Sequence, residues 1–219
     1  MACSFSCIGE TMTKNEREIL RLLREKYENY KTGLEFRNPF ELVIATMLSA
    51  QATDKQVNKV TKRLFEKYPT VYEMHILSIE EIEQEINSVG LYKNKSKHIK
   101  GICEKLLYDF GGIVPNNRHD LESLPGVGRK TASVVLCNAF DIPAFAVDTH
   151  VFRVSKRLGL AQGKTVAQVE EALTQKLPQK HWCGAHHWII WHGRELCKAR
   201  NPLCEECFLF TNCPKIGVE

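Results

Sequence analysis

Residues 124–136 have the sequence LPGVGRKTASVVL, which says more about the architecture than any other part of the chain. Pro125, Gly126 and Gly128 favour a tight turn, because proline fixes φ and glycine tolerates positive φ. We expect one helix to start near Asp120, before the turn, and a second helix to begin at Arg129, after it. The stretch therefore predicts a helix–hairpin–helix.

This hairpin is suited to hold a phosphate group. Its backbone N–H groups are expected to be exposed, and the positive end of the second helix dipole lies at the same place. A phosphodiester held in this way is bound without regard to base sequence. The alternative is an ordinary turn between packed helices, since Gly-x-Gly alone is a weak signal. The whole string PGVGRKTA is far more specific.

Lys130 lies in the first turn of the second helix. The positive end of the helix dipole and the neighbouring Arg129 disfavour the ammonium form and favour the neutral amine. A neutral amine can attack an electrophilic carbon and form a Schiff base. The alternative, which position alone favours, is a solvated surface lysine.

Asp148 follows within the stretch AVDTHVFRVSKRLG, residues 146–159. It is expected to be the N-cap of a helix whose Val151, Val154 and Leu158 face inward and which Gly159 ends. A carboxylate near the amine of Lys130 could act as an acid or base, or stabilise developing positive charge. The alternative is a helix cap with no further role.

The rest of the chain is a succession of helix signals. Helix starts are marked by capping boxes at Thr13–Glu16, Ser78–Glu81 and Thr165–Gln168, and by Asn38 followed by Pro39. Helix ends are expected at Gly90 and at Gly111–Gly112. No stretch alternates between apolar and polar residues in the manner of a strand. The prediction is an all-α protein.

Length and composition restrict the class of protein only broadly. The 219 residues can bury a core as one large domain or two small lobes. Lys and Arg exceed Asp and Glu by 30 to 26, and a net charge of +4 permits nucleic-acid binding without requiring it. We find neither a signal-peptide core nor the roughly 18 apolar residues of a membrane span, so we expect an intracellular protein.

Cysteines concentrate near the C-terminus. Four of the nine have the spacing C-x6-C-x2-C-x5-C, at Cys197, Cys204, Cys207 and Cys213. In a reducing compartment such a cluster favours a metal site over disulfides, and its spacing leaves zinc and iron–sulfur open. The remaining cysteines are expected to be free or buried thiols: Cys3, Cys7, Cys103, Cys137 and Cys183.

A lysine-rich segment and four histidines are expected to have structural rather than catalytic roles. The segment KNKSKHIK, residues 93–100, is interpreted as a solvated helix face, part of which lies near DNA. The histidines at 186, 187 and 192 lie at helical spacing among tryptophans and are expected to make core hydrogen bonds. His150 could orient Asp148 or merely occupy the first turn of its helix. None of these histidines is assigned a catalytic role.

Taken together, the motifs resemble the endonuclease III family of DNA base-excision glycosylases. LPGVGRKTA, AVDTHVFRV, LSAQATD (residues 48–54), HHWIIWHGR and the four-cysteine tail occur in the order and spacing of that family, from about residue 14 onward. The resemblance implies a bilobal all-α fold with DNA between the lobes. One lobe, residues 32–142, would be a six-helix barrel. The other, residues 1–31 and 143–219, would hold a [4Fe–4S] cluster.

The resemblance also implies roles for individual residues. Lys130 matches the nucleophilic lysine of the family and Asp148 its catalytic aspartate. Gln51 matches the residue that fills the gap left by the extruded nucleotide. Leu91 resembles the wedge between neighbouring bases, although it could also be an ordinary core leucine.

Further residues are assigned to DNA and to the cluster. The DNA-binding set is the hairpin residues Gly126, Gly128 and Arg129, together with Lys198 and Arg200 in the loop between the first two cluster cysteines. The alternative for Lys198 and Arg200 is simple solvation. The cluster ligands implied by the family are Cys197, Cys204, Cys207 and Cys213.

The predicted function is a bifunctional enzyme that removes oxidised pyrimidines from double-stranded DNA and nicks abasic sites by β-elimination. Adenine-mismatch glycosylases of the same superfamily lack a lysine at the position of Lys130, which favours the bifunctional class. We expect a monomer in a bacterial-type cytoplasm, associated with the nucleoid through DNA. The alternatives are a non-catalytic DNA-binding or redox-sensing protein and a mono-functional glycosylase.

Overall fold

The computed structural model describes residues 12–218. Within them the α-helices are, in chain order, α1 (Lys14–Tyr27), α2 (Pro39–Leu48), α3 (Asp54–Lys67), α4 (Val71–Ile76), α5 (Ile79–Ile86), α6 (Tyr92–Phe110), α7 (Arg118–Glu122), α8 (Arg129–Phe140), α9 (Thr149–Arg157), α10 (Val166–Lys176) and α11 (Trp182–Glu195). A short 3-10 helix spans Gln179–His181. This described part of the chain contains no β-strand, so the all-α prediction is confirmed.

The chain divides into two compact units. The central unit is Thr32–Ile142 and contains α2 to α8. The terminal unit joins Met1–Lys31 to Pro143–Glu219 and contains α1 and α9 to α11. Across residues 12–218, we find no helix with the length and apolar character that crossing a membrane requires.

The central unit is built around α2, which is buried from Phe40 to Leu48. Burial on all sides explains why its sequence, PFELVIATML, is apolar with little periodicity. As predicted, Asn38 caps this helix by accepting a hydrogen bond from the Glu41 N–H at 3.0 Å, and Pro39 is its first residue. Helix α8 packs against α2 through its buried residues 132–137.

Capping boxes fix most of the helix starts. Those predicted at Thr13, Ser78 and Thr165 are all formed. A further one, between Thr70 and Glu73, begins α4, which the sequence analysis missed. The signal was present in TVYE, but the helix that follows it has only six residues.

The terminal unit packs α11 against α1 and α9. Val151 and Val154 of α9 are fully buried, as predicted. Gly193 of α11 lets the two helices approach closely, because a Cβ atom there would lie 2.9 Å from Cγ2 of Val154. The segment after α11, which carries the clustered cysteines, contains no regular helix or strand in its described part.

The described cysteines outside the cluster differ in whether they form disulfide bonds. Cys103 is free and buried, as predicted. Cys137 and Cys183 are disulfide-bonded, so the prediction of free or buried thiols was wrong for these two. Cys3 and Cys7 lie outside the described residues.

The lysines of residues 93–100 do not form one solvated face. Lys93 and Lys97 are exposed, but Lys95 is only 4% exposed, and Lys100 donates from Nζ to the carbonyls of His75 and Leu77 at 2.5 and 3.0 Å. The prediction of solvation was therefore wrong for Lys95 and Lys100. Both reach backbone carbonyls that lie far away in sequence, which a charge pattern cannot reveal.

Candidate active site and cysteine cluster

The hairpin begins where α7 ends. The N–H of Val127 donates to the carbonyl of Leu124 at 3.0 Å and closes the turn, and Gly128 is the N-cap of α8. Helix α8 begins at Arg129, as predicted. Helix α7 begins at Arg118 rather than near Asp120, because Asn117 caps it by accepting from the Asp120 N–H at 3.0 Å.

The two hairpin glycines serve different purposes. Gly126 has φ +74°, and a Cβ atom there would lie 2.5 Å from Nδ1 of His98 on α6. Glycine is therefore required both by the backbone conformation and by the packing of the hairpin on α6. At Gly128 a Cβ atom would meet no other atom of the described chain within 4 Å. The space outside Gly128 is open, so a ligand can approach the backbone at the start of α8.

Lys130 is the second residue of α8 and is exposed. It lies directly beyond the hairpin, in the turn where the positive end of the helix dipole is strongest. Arg129 beside it is also exposed. The central unit therefore presents two basic side chains next to an open backbone site, which suits an anionic ligand.

Asp148 is half-buried and caps α9, as predicted. Its Oδ1 accepts a hydrogen bond from the Val151 N–H at 2.8 Å. His150 lies two residues on, with Nδ1 3.2 Å from Nη2 of Arg153. Burial lowers the pKa of His150, against the opposing effect of the Asp148 carboxylate. Asp148 is thus held by its hydrogen bond from the Val151 N–H at the start of a helix that packs against α11, in the terminal unit.

Gln51 and Leu91 share an uncommon backbone conformation. Gln51 has φ 56° and Leu91 has φ 61°, so both are left-handed although neither is glycine. Leu91 is 56% exposed, which rules out the core leucine considered as its alternative. The prediction that Gly90 ends α5 in a left-handed conformation was wrong, because α5 ends at Ile86 with Asn87 as a right-handed C-cap. Leu91 has the left-handed conformation as the N-cap of α6.

The four clustered cysteines line a single cavity. Backbone N–H groups point at two of the sulfur atoms, from Leu209 to Cys207 and from Lys215 to Cys213, each at 3.4 Å. Such donors stabilise thiolates that bind a metal. The arrangement therefore suits a metal centre held by sulfur.

The four cysteines that line the cavity could bind either a single zinc ion or an iron–sulfur cluster. Zn–S bonds of about 2.3 Å would bring four sulfur atoms to within about 3.8 Å of one another. In a four-iron cluster each thiolate binds its own iron, so the sulfur atoms lie further apart.

Two arginines of α9 secure the start of the cysteine segment. Arg153 donates from Nε and Nη2 to the carbonyl of Cys197 at 3.2 and 3.0 Å. Arg157 donates to the carbonyls of Lys198 and Ala199 at 2.6 and 3.2 Å. With the carbonyls of Lys198 and Ala199 bound to Arg157, the side chains of Lys198 and Arg200 are exposed on the loop between Cys197 and Cys204.

The histidines of α11 are buried. His186 contacts the carbonyl of Ala146 through Nδ1 at 2.7 Å, which confirms the expected core hydrogen bond. Burial lowers the pKa of His187 to about 3, so this side chain is neutral at physiological pH. His192 lies beside the cysteine cavity, with Nε2 3.8 Å from Sγ of Cys207. The structure thus gives His192 a neighbour that the sequence analysis did not foresee.

Comparisons with known proteins agree with these features. The model of the HhH-GPD superfamily of base excision DNA repair proteins matches residues 44–179. The model of the iron-sulfur binding domain of endonuclease III matches residues 197–213. Endonuclease III of Bacillus subtilis (strain 168) is 51% identical over 190 residues, which cover 86% of this chain and 87% of that protein.

Solved structures of endonuclease III bound to DNA are also similar to this chain. A non-covalent endonuclease III–DNA complex is similar with a TM-score of 0.88 and 47% identity, and the match covers 93% of this chain and 97% of that chain. A trapped endonuclease III–DNA covalent intermediate, an estranged-adenine complex, gives the same four values. This chain is therefore similar to DNA-bound enzymes over nearly its whole length.

Proposed function

This chain belongs to the endonuclease III family, and we propose that Lys130 is its nucleophile and Asp148 its catalytic carboxylate. The protein is a base-excision repair enzyme, a DNA glycosylase with abasic-site lyase activity. It binds DNA and carries a [4Fe–4S] cluster. The observation that supports the assignment of Lys130 best is an exposed lysine at the start of α8, beside the open backbone of Gly128.

The chemistry assigned to Lys130 begins with its neutral amine. The amine lone pair attacks C1′ of the damaged nucleotide, and the glycosidic bond breaks as the base leaves with its electron pair and takes up a proton. Loss of a proton from nitrogen and opening of the sugar ring give a Schiff base between Nζ and C1′. Removal of a C2′ proton then expels the 3′ phosphate, which nicks the strand on the 3′ side.

Asp148 is assigned to charge stabilisation and proton transfer. Its Oδ1 is occupied by the Val151 N–H, while Oδ2 makes no hydrogen bond to the described part of the chain. The cap fixes the carboxylate in place, and the second oxygen can face a cationic sugar or accept a proton. Lys130 and Asp148 belong to different units, so their joint action is inferred from chemistry and family membership.

Gln51 and Leu91 are assigned to the distorted duplex. An enzyme that works at a sugar carbon must extrude the nucleotide, and another group must occupy the space it leaves. Both residues are exposed and held in a strained backbone conformation, a combination that is frequent at functional sites. We assign Gln51 to the gap and Leu91 to the wedge between bases.

The phosphate contacts are assigned to two exposed surfaces. In the central unit they are the backbone of Gly126 and Gly128 with the side chain of Arg129. In the terminal unit they are Lys198 and Arg200, whose loop is bounded by Cys197 and Cys204. Bound at Cys197, Cys204, Cys207 and Cys213, the cluster would supply a rigid cross-link for this loop, and no step of the reaction is assigned to it.

The proposal also covers the DNA substrate, the oligomeric state and the place in the cell where the enzyme acts. We assign duplex DNA with oxidised or ring-opened pyrimidines, or with abasic sites, as the substrate, because Lys130 favours the bifunctional class. A single chain supplies every assigned residue, so we propose a monomer. Because the relatives named above act on DNA and include a bacterial enzyme, we place its action at the nucleoid, in a bacterial cytoplasm.

Borohydride trapping tests the proposed function. Wild-type protein is incubated with a duplex that carries one thymine glycol, with an abasic-site duplex and with undamaged DNA, each in the presence of borohydride. We expect covalent protein–DNA adducts with the first two duplexes and none with the third, because borohydride reduces a Schiff base to a stable amine. Release of the base without an adduct would favour a mono-functional glycosylase. Binding alone would favour a non-catalytic protein.

Replacing Asp148 by Asn tests the role of the carboxylate. Asparagine is also a good N-cap, so α9 should keep its start and the melting temperature should change little. Single-turnover base release should fall by about 10²- to 10³-fold, since one charged group is removed from the reacting sugar. A rate within threefold of wild type would leave Asp148 as a helix cap only. Asp148→Ala is the matched variant that loses both the charge and the cap.

A further inference from the structure

Lys95 is a buried cation whose bonding partners are backbone oxygens. It lies in the first turn of α6, and its Nζ donates to the carbonyls of Leu48 and Ala50 at 2.9 and 2.7 Å. Burial lowers the pKa of this lysine. Burying a cation is costly unless its donors are satisfied, so this placement needs a reason.

The two carbonyls belong to the turn that carries Gln51. Leu48 is the last residue of α2, where carbonyl groups have no partner within the helix and the dipole is negative. Ala50 immediately precedes Gln51, whose left-handed conformation is strained and persists only when its surroundings enforce it. The ammonium of Lys95 thus binds two of the three residues that directly precede Gln51.

The same residue is bonded to Leu91 through its backbone. The N–H of Lys95 donates to the carbonyl of Leu91 at 3.1 Å, in the first turn of α6. The two turns are also neighbours in space, since a Cβ atom on Gly90 would lie 3.9 Å from the carbonyl oxygen of Gln51. Lys95 is therefore bonded through its main chain to the Leu91 turn and through its side chain to the Gln51 turn.

We propose that Lys95 is a positioning residue that sets the spacing between Gln51 and Leu91 for their insertion into the duplex. This role rests on the functions proposed above for Gln51 and Leu91. Lys95 touches neither the substrate nor the reacting atoms; it acts through the two residues whose turns it joins. A neutral, unbranched side chain such as methionine would fill most of the space but would release the carbonyls of Leu48 and Ala50.

The test compares Lys95→Met with wild type on two substrates. In one, thymine glycol is paired with adenine; in the other, it faces an abasic site. We expect single-turnover excision of the paired lesion to fall by about 10- to 100-fold, as for a displaced positioning group, with DNA affinity within threefold. Opposite an abasic site the loss should shrink to less than threefold, because no base remains to be separated from the lesion.

A merely structural role gives a different result. It would lower the melting temperature and slow excision equally on both substrates, and that outcome would overturn the proposal. Lys95→Arg keeps the charge and the donors and should retain more of the paired-lesion rate than Lys95→Met. If Lys95→Met does not fold, Lys95→Gln, which keeps a donor, replaces it in the comparison. Lys62→Met removes an exposed charge elsewhere in the central unit and is the matched control.

Gln51→Ala and Leu91→Ala separate the two proposals. A 2-aminopurine opposite the lesion reports its exposure when the neighbouring bases separate. If both alanine variants give the wild-type fluorescence change, the proposed functions of Gln51 and Leu91 fail, and the role of Lys95 fails with them. If they lose it while Lys95→Met keeps it, the role of Lys95 alone is overturned.

Discussion

Lys130→Ala is expected to abolish strand nicking, with a loss of about 10³-fold or more, as for other enzymes that lose their nucleophile. Without the amine no Schiff base can form, so β-elimination has no imine to activate the C2′ proton. Lys130 is exposed, and substitutions of exposed residues usually change stability by no more than about 0.5 kcal/mol. The variant should therefore fold normally and still bind damaged DNA.

The measurement combines three readouts on one duplex: nicking in single turnover, adduct formation with borohydride, and affinity by fluorescence anisotropy. The control is Lys62→Ala, which also removes one exposed lysine of the central unit. Nicking by Lys130→Ala within tenfold of wild type would remove this residue from the role of nucleophile. Loss of binding together with nicking would make Lys130 a phosphate contact instead.

The products of Lys130→Ala also decide between classes of glycosylase. If the base is still released but the strand stays intact, water attacks C1′ in this variant and Asp148 alone supports cleavage of the glycosidic bond. If both base release and nicking are lost, the amine is needed for the first step as well. The second outcome is the one that the proposed mechanism requires.

Most helices of this fold could be predicted from the sequence because their start signals are local. The capping boxes at Thr13, Ser78 and Thr165 each involve residues three positions apart, so the sequence alone contains the interaction. Asp148 was predicted as a helix cap for the same reason. What local signals could not show is which side chains reach distant backbone. Lys95 illustrates this limit, because its partner Leu48 lies 47 residues away.

The candidate site was predictable to a similar extent. The hairpin and the start of α8 at Arg129 followed from the positions of proline and glycine. The left-handed conformation of Leu91 did not, because Gly90 beside it is the residue that tolerates positive φ most easily. The disulfide bonds of Cys137 and Cys183 were missed since neither has a sequence neighbour that marks it. The choice between zinc and iron–sulfur came from the family resemblance, and the match of the endonuclease III iron-sulfur domain to residues 197–213 supports it.

Cys204→Ser is expected to abolish the brown iron–sulfur absorbance and to destabilise the terminal unit. A serine hydroxyl is a poor ligand for iron, so one iron loses its protein anchor. Residues 197–213 form no regular helix or strand, and within this segment only Leu209 is buried. The segment therefore depends on the cluster as a cross-link. By comparison with the loss of a native disulfide, the free energy of unfolding should fall by about 2–5 kcal/mol.

Absorbance, iron content and limited proteolysis test this expectation together. Protease should cut first within residues 197–213, and the helices of the central unit should resist longer, because their core does not involve the cluster. Cys103→Ser is the matched control: Cys103 is a free, buried thiol of the central unit, so its replacement can cost stability but should leave the brown colour intact. Wild-type absorbance and iron content in Cys204→Ser would contradict the ligand assignment. Colour lost without any loss of stability would show that the segment holds its shape through the arginines of α9 instead.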